Sequence, residues 1–295
     1  MHIYSAYSLT IFSELELPGF RQVFDGRADV SIKKTGGDGD FHLDGEKVCF
    51  SRTADGLEFC FPFGATYVVS EGNCITIRSK KDTDPRLVVL ALQGVVLAAL
   101  LSQRGMMVLH ASAIALHGRG IIVIGDKGQG KTTLALKLLA SGGRLLSDDV
   151  TALSFAKGRI MVHPGPPLIK AWPDSLNYVG VDPQGCARLF DETEKRLFTV
   201  PALETSLGTV ELNGLFFLQE AETVAAREMS GAEKMMYLGA SVYLARFEGL
   251  RSGKEIGRDF KASALLAQQC NAYVIERPRK KEFLKETCRE IMILC

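Results

Sequence analysis

The chain lacks the cysteine spacings that hold metals or build disulfide frameworks. Its seven cysteines, Cys49, Cys60, Cys74, Cys186, Cys270, Cys288 and Cys295, are odd in number, and no two are at C-x-x-C spacing. That pattern points to free thiols in a reducing compartment and against a zinc ribbon. The chain also lacks a charge of one sign: the net charge is +1, so nothing marks it as a partner of nucleic acid or anionic membrane. The N-terminal twenty residues have no basic segment followed by an apolar run, so no signal peptide is expected and a cytoplasmic location is. The most apolar run, Leu87–Leu101, is broken by Gln93 and Gly94. Fifteen residues are too few to span a bilayer, so the reading is a buried helix. Internal repeats and low-complexity tracts are absent.

What is present is an ordinary core-forming composition: 46% hydrophobic and 23% charged over 295 residues, enough for one large domain or two modest ones. Residues 1–83 read as a β-rich region. Short apolar runs (Tyr7–Phe12, Val48–Phe50, Leu57–Phe63, Tyr67–Val69, Cys74–Arg78) are separated by turn clusters at 35–40 and at Asp55-Gly56. No chemistry is visible there. Residues 84–295 read as an α/β domain with a leading helix, which Asp84 caps, Pro85 opens and Arg104-Gly105 ends. Strands are expected over Met107–Leu116, Gly120–Ile124, Arg144–Ser147 and Ala272–Glu276. Helices are expected over Thr132–Ala140, Ala232–Phe247, Lys261–Gln269 and Lys280–Leu294.

The chemistry begins at Gly125-Asp126-Lys127-Gly128-Gln129-Gly130-Lys131-Thr132-Thr133, which fits G-x-x-x-x-G-K-[ST] at every fixed position. An apolar strand delivers the chain to a loop whose backbone N–H groups can wrap a phosphate, and glycines allow the close approach. The helix starting near Lys131 points its positive end at the same anion. Lys131 suits the β- and γ-phosphates of a nucleoside triphosphate, and the Thr132 hydroxyl suits Mg²⁺.

Asp148-Asp149 follows the short apolar run Arg144–Ser147, the position of a metal-binding aspartate beside a phosphate loop. The second carboxylate suits a different task, orienting an acceptor hydroxyl and taking its proton. Adjacent strand residues face opposite ways, so both reach one site only if the strand ends there and the chain turns. A solvated turn or helix cap is the competing reading. His110, on the strand before the loop strand, could contact the γ-phosphate or tune an aspartate; a lone histidine on an apolar strand is more often a hydrogen-bonded core residue.

His110-Ala-Ser-Ala-Ile, the glycine loop and Leu146-Ser-Asp-Asp149 together resemble the catalytic domain of bacterial HPr kinase/phosphorylase. The family's fold is related to the nucleotide-binding part of phosphoenolpyruvate carboxykinase, not to the Rossmann-like P-loop domain. Tyr7-Ser-Leu, Ser13–Pro18, Pro164–Asp174 and Glu194-Lys-Arg196 resemble the compact kinases of that group that phosphorylate lasso-peptide precursors. The resemblance implies an α/β P-loop serine kinase with a small β-rich N-terminal region, using ATP and Mg²⁺. It implies His110, Lys131 and Asp149 as catalytic, Thr132 and Asp148 as metal ligands, and a peptide or small-protein acceptor. The parent family's hexamers make a homo-oligomer one expectation. The family's arginine-containing, glycine-rich signature after the acidic pair is not found, which counts against HPr as acceptor. Lys170, Arg188, Lys195 and Arg196 are candidate cations for an acidic acceptor. A small-molecule kinase and a nucleotide-gated binding protein remain as alternatives.

Overall fold

A computed structural model describes residues 1–35, 47–202, 205 and 208–295. The predicted turn at 36–40 lies outside the described residues. An eight-stranded sheet occupies the N-terminal quarter: β1 (His2–Ala6), β2 (Leu9–Ser13), β3 (Arg21–Gln22), β4 (Val30–Lys34), β5 (Cys49–Thr53), β6 (Gly56–Phe61), β7 (Ala65–Ser70) and β8 (Cys74–Ser79), in the order β3-β1-β2-β4-β8-β7-β6-β5. Alternate residues of β6 and β7 are buried, the period of a sheet covered on one face. The predicted run Tyr7–Phe12 overran the β1–β2 turn. Tyr7 and Ser8 form that turn at φ 55° and 61°, positions usually filled by Asn or Gly, so no turn residue announces it.

The cover is a helical run from Pro85 to Gln103, comprising α1 (Pro85–Ala91), a π-helical turn at Leu92–Val96 and α2 (Leu97–Gln103). The Asp84 carboxylate accepts the Arg86 N–H at 2.8 Å, as the cap reading required. The run fills the span expected between the Asp84 cap and Arg104-Gly105. By length and composition its 19 residues could cross a membrane; 67% of the apolar window is buried inside the protein instead. Leu92–Leu101 packs in one cluster with Ile32, Leu57 and Ile75 of the sheet, and with Val108, Val150 and Tyr243 beyond it.

The remaining chain folds around a mixed sheet built on β9 (Met107–Leu116) and β10 (Arg119–Ile124), as the sequence predicted. These are followed by α3 (Lys131–Ala140), β11 (Arg144–Ser147), β12 (Val150–Ala156), β13 (Arg159–His163), β14 (Leu168–Ala171), α4 (Pro173–Tyr178), β15 (Ala187–Arg188), β16 (Arg196–Thr199), β17 (Val210–Glu220), β18 (Ala225–Glu228), α5 (Gly231–Ser241), α6 (Gly253–Gln269), β19 (Asn271–Arg277) and α7 (Leu284–Leu294). β9 lies antiparallel to β10; β10, β17 and β19 run parallel. The long strands β9 and β17 also pair with β12 and β13, so β10-β9-β12-β13-β17 returns on itself.

The tail departs from expectation in three places. The helix predicted to Phe247 stops at Ser241, because Val242 turns extended and bridges Leu109. α6 starts eight residues before Lys261. Ser252 and Glu255 form a reciprocal cap that outweighs Gly253 and Gly257. The final helix begins at Leu284, after a 3₁₀ turn at Lys281–Phe283.

Candidate active site

β10 ends at Ile124 and delivers the glycine loop. Gly128 and Gly130 have φ of 89° and 84°, the left-handed region that favours glycine. A Cβ on Gly125 would fall 2.5 Å from Gln129 Oε1, which itself accepts the Asp126 N–H at 2.7 Å. α3 follows with no side-chain cap on its N-terminus, so its first N–H groups remain available to an anion. The Lys131 ammonium folds back onto the loop, donating to the carbonyls of Gly125 at 2.6 Å and Asp126 at 3.2 Å. Burial pulls its pKa below the ordinary lysine value, against the opposing pull of Asp148 and Asp149.

The strand pairing brings His110 to this loop. Ile124 pairs with Ala111, so His110 stands level with the first loop residue. β11 ends at Ser147, and the acidic pair forms a tight turn: the Val150 N–H donates to the Asp148 carbonyl at 2.9 Å, with Asp149 between them at φ 69°. This is the chain reversal the two carboxylates needed. A non-glycine residue in such a turn is strained.

The two carboxylates have different surroundings. Asp149 Oδ1 lies 2.9 Å from His110 Nδ1 and its Oδ2 3.3 Å from Lys170 Nζ. Burial alone would raise its pKa. The His110 hydrogen bond and the Lys170 charge outweigh it and hold Asp149 well below the usual carboxylate range. His110 Nδ1 also faces the Asp149 carbonyl at 3.2 Å; both partners are acceptors, so Nδ1 carries the proton. Asp148 Oδ1 accepts the Ser112 hydroxyl at 2.6 Å. No cation lies within ion-pair distance of it among the described residues, and burial pushes its pKa up. Lys170 and Lys131 offset that only in part and from beyond ion-pair distance, so the carboxylate suits a cation. Among the described residues no group of three or more His, Cys, Asp or Glu could hold a metal; Thr132 and Asp148 both line the same cleft.

These groups line one cleft of about 730 Å³. Of the predicted residues, His110, Asp126, Lys127, Gly128, Gly130, Lys131, Thr132, Thr133, Asp148, Asp149, Lys170 and Lys195 line it. Gly125 and Gln129 support the loop from behind. Lys195 stands 5.4 Å from the Trp172 ring centre. Arg188 and Arg196 instead pair with Glu194, at 2.7 and 3.7 Å, and are not among the lining residues.

Sequence reasoning missed Ser112, Trp172, Arg246, Arg277, Arg279 and Lys281. Ser112 had a signal, since it shares the His110 face of β9 two residues on. Arg277 had one too, at the carboxyl end of a parallel strand, where ligands gather in α/β sheets. Arg246 had none, because its position depends on the break after α5. The lining holds eight Lys or Arg against four Asp, a surplus suited to a polyanion.

The N-terminal sheet also reaches the site. The buried Tyr7 hydroxyl donates to the Val150 carbonyl at 3.1 Å, and its N–H donates to Pro164 at 2.6 Å. The reading of residues 1–83 as free of chemistry overlooked this contact.

No family model matches the chain. It is 37% identical to the HPr kinase/phosphorylase of two strains of Treponema pallidum over 57 residues, 19% of this chain and 18% of that protein. To the HPr kinase/phosphorylase of Nitrosomonas europaea it is 29% identical over 104 residues, 34% of this chain and 31% of that protein. Among solved structures, the Hpr(Ser) kinase/phosphatase of Coxiella burnetii matches 63% of this chain and 94% of that chain, at 14% identity and a TM-score of 0.36, too low to establish a shared fold. The chain spans about a fifth to a third of the length of the curated relatives it matches, and over that span it is similar to HPr kinase/phosphorylases.

Proposed function

We propose that this protein is an ATP-dependent kinase that transfers the γ-phosphoryl group to a serine hydroxyl of a peptide or small protein, a lasso-peptide precursor being the kind of acceptor the sequence resemblance favours. The observation that carries the reading is the convergence, in one cationic cleft, of the glycine loop and two carboxylates with opposite electrostatic settings. ATP would supply the phosphoryl group, and Mg²⁺ would neutralise charge on its phosphates. Thr132 and Asp148, which has no cation in ion-pair contact among the described residues, would hold the ion. Lys131 would leave its loop carbonyls for the β- and γ-phosphates. Asp149, pinned by His110 and Lys170, would orient the attacking hydroxyl and accept its proton.

The partial similarity to HPr kinase/phosphorylases supports a phosphotransferase. A flexible peptide end can enter the cleft without unfolding a domain, and the cationic lining suits an acidic peptide. The test is incubation with γ-labelled ATP, Mg²⁺, HPr, common metabolites and a synthetic serine-containing lasso-precursor peptide, read by mass spectrometry. Phosphate on the peptide serine supports the proposal. Phosphate on HPr alone or on a metabolite alone overturns the peptide assignment. Tight nucleotide binding with no transfer makes the protein a nucleotide-gated binder.

A further inference from the structure

We infer that Arg277 is a ligand of the non-transferred phosphates of the nucleotide, held ready on the flank of the glycine loop away from Asp149; the inference rests on the nucleotide-binding reading above. The strand order is β9, β10, β17, β19. His110 belongs to β9, and the Asp148-Asp149 turn precedes β12, which also pairs with β9. Arg277 ends β19, on the other side of the loop strand. In register, Ile124 pairs with Phe217 and Phe217 with Val274. Arg277 is three residues further, about 10 Å beyond the end of β10, at the level of the loop itself.

Its setting is unusual for a charge. The residue is only 4% exposed, and arginine keeps its proton whatever its surroundings. Burial works against that charge. Nε has no hydrogen-bond partner, and Nη2 makes a single long contact of 3.4 Å with the Lys280 carbonyl. No carboxylate lies within ion-pair distance among the described residues. Elsewhere the fold does compensate buried charge: Asp259, also 4% exposed, has both Arg251 and Arg258. The Arg277 guanidinium faces the cleft and touches its glycine loop, because a Cβ on Gly130 would meet Nη1 at 3.0 Å.

An anion with several acceptor oxygens completes this arrangement. Phosphate accepts the planar fork of arginine in two parallel bonds. The loop N–H groups and Arg277 then close on the same group from two sides. Because Asp149 lies on the other flank, the phosphates reached by Arg277 are those shared by ATP and ADP. An unpaired buried charge destabilises a fold until its partner arrives, so Arg277 trades ligand-free stability for nucleotide affinity.

The experiment compares wild type, Arg277→Met, Arg277→Lys and Lys131→Ala by thermal melting and by calorimetric titration with ADP and ATP. For Arg277→Met the expected result is a ligand-free melting temperature equal to or above wild type. ADP and ATP affinities should both fall by a similar factor, about 10- to 100-fold. Arg277→Lys, which keeps the charge but loses the fork, should fall between. Loss of ligand-free stability in both Arg277 variants with wild-type ADP affinity would overturn the inference and make Arg277 a scaffold residue. If wild type binds nucleotide, Lys131→Ala does not, and Arg277→Met binds as wild type, this inference alone fails. If wild type binds no nucleotide, the kinase reading fails with it.

Discussion

Tyr7→Phe tests whether the N-terminal sheet holds the acidic turn in place. The substitution keeps the ring, which is 2% exposed, and removes only the hydroxyl that donates to the Val150 carbonyl. Burial and the neighbouring Asp149 raise the Tyr7 pKa far above its ordinary value, so the group is a neutral donor throughout the working pH range. A buried hydrogen bond of this kind is worth about 1 kcal/mol net, and up to about 3 kcal/mol if the carbonyl is left without a partner. For a protein of this size each kcal/mol moves the melting temperature by about 2 to 4 °C, so a drop of a few degrees is expected. The functional effect should exceed what stability alone accounts for. Val150 closes the strained turn that aims Asp149, and such strain, about 1–3 kcal/mol, persists only where the surroundings enforce it. Loosening it should lower kcat about tenfold, or about 1.4 kcal/mol of transition-state stabilisation, with nucleotide affinity unchanged because the glycine loop is untouched. The assay pairs a melting curve with ADP release at saturating ATP. A variant that melts early yet turns over at the wild-type rate would refute the positioning argument; one unchanged in both would refute the hydrogen bond itself.

Lys131→Ala should abolish turnover by removing the charge that meets the transferred phosphates; retention of more than about a tenth of wild-type activity would exclude the loop assignment. Asp148→Asn should weaken nucleotide binding at limiting Mg²⁺, whereas Asp149→Asn should spare binding and slow transfer by about 10²- to 10⁴-fold. The reverse pattern would exchange the two roles. Because the folded state holds the Asp149 pKa down, its stabilising contribution is complete above about pH 4, where the unfolded carboxylate is ionised, and is lost as pH falls through the lower folded value. The melting-temperature gap between wild type and Asp149→Asn should therefore close in acid, and a pH-independent gap would count against the His110–Asp149–Lys170 network. His110→Ala should lower kcat more than ATP affinity, since its Nδ1 proton positions Asp149; an unaltered rate with reduced stability would make it a core residue. Trp172, the sole tryptophan, lines the cleft and is 51% exposed. Nucleotide binding should change its emission, and a titration that moves the melting temperature with no change in fluorescence would place the ligand elsewhere.

The local features of this protein were determined by its sequence. The glycine loop could be read because its spacing, the strand before it and the helix after it are all encoded within about twenty residues. β9, β11 and the Asp84 cap could be read for the same reason. The need for a turn at Asp148-Asp149 followed from strand geometry alone. Tertiary structure decided what depends on distant partners. Asp148 and Asp149 are chemically identical in the sequence; they differ because Ser112 meets one while His110 and Lys170 meet the other. Arg188, Lys195 and Arg196 looked alike as loop cations, but Glu194 pairs with the two arginines and Lys195 faces the cleft. Arg246 and Arg277 enter the site because a helix stops early at Val242 and because β19 lies beside β17. The early stop leaves no local trace, and the predicted strand ending beside Arg277 did not say which strand it would pair with, since a side chain's charge is written in the sequence but its counter-charge is supplied by whatever the fold packs against it.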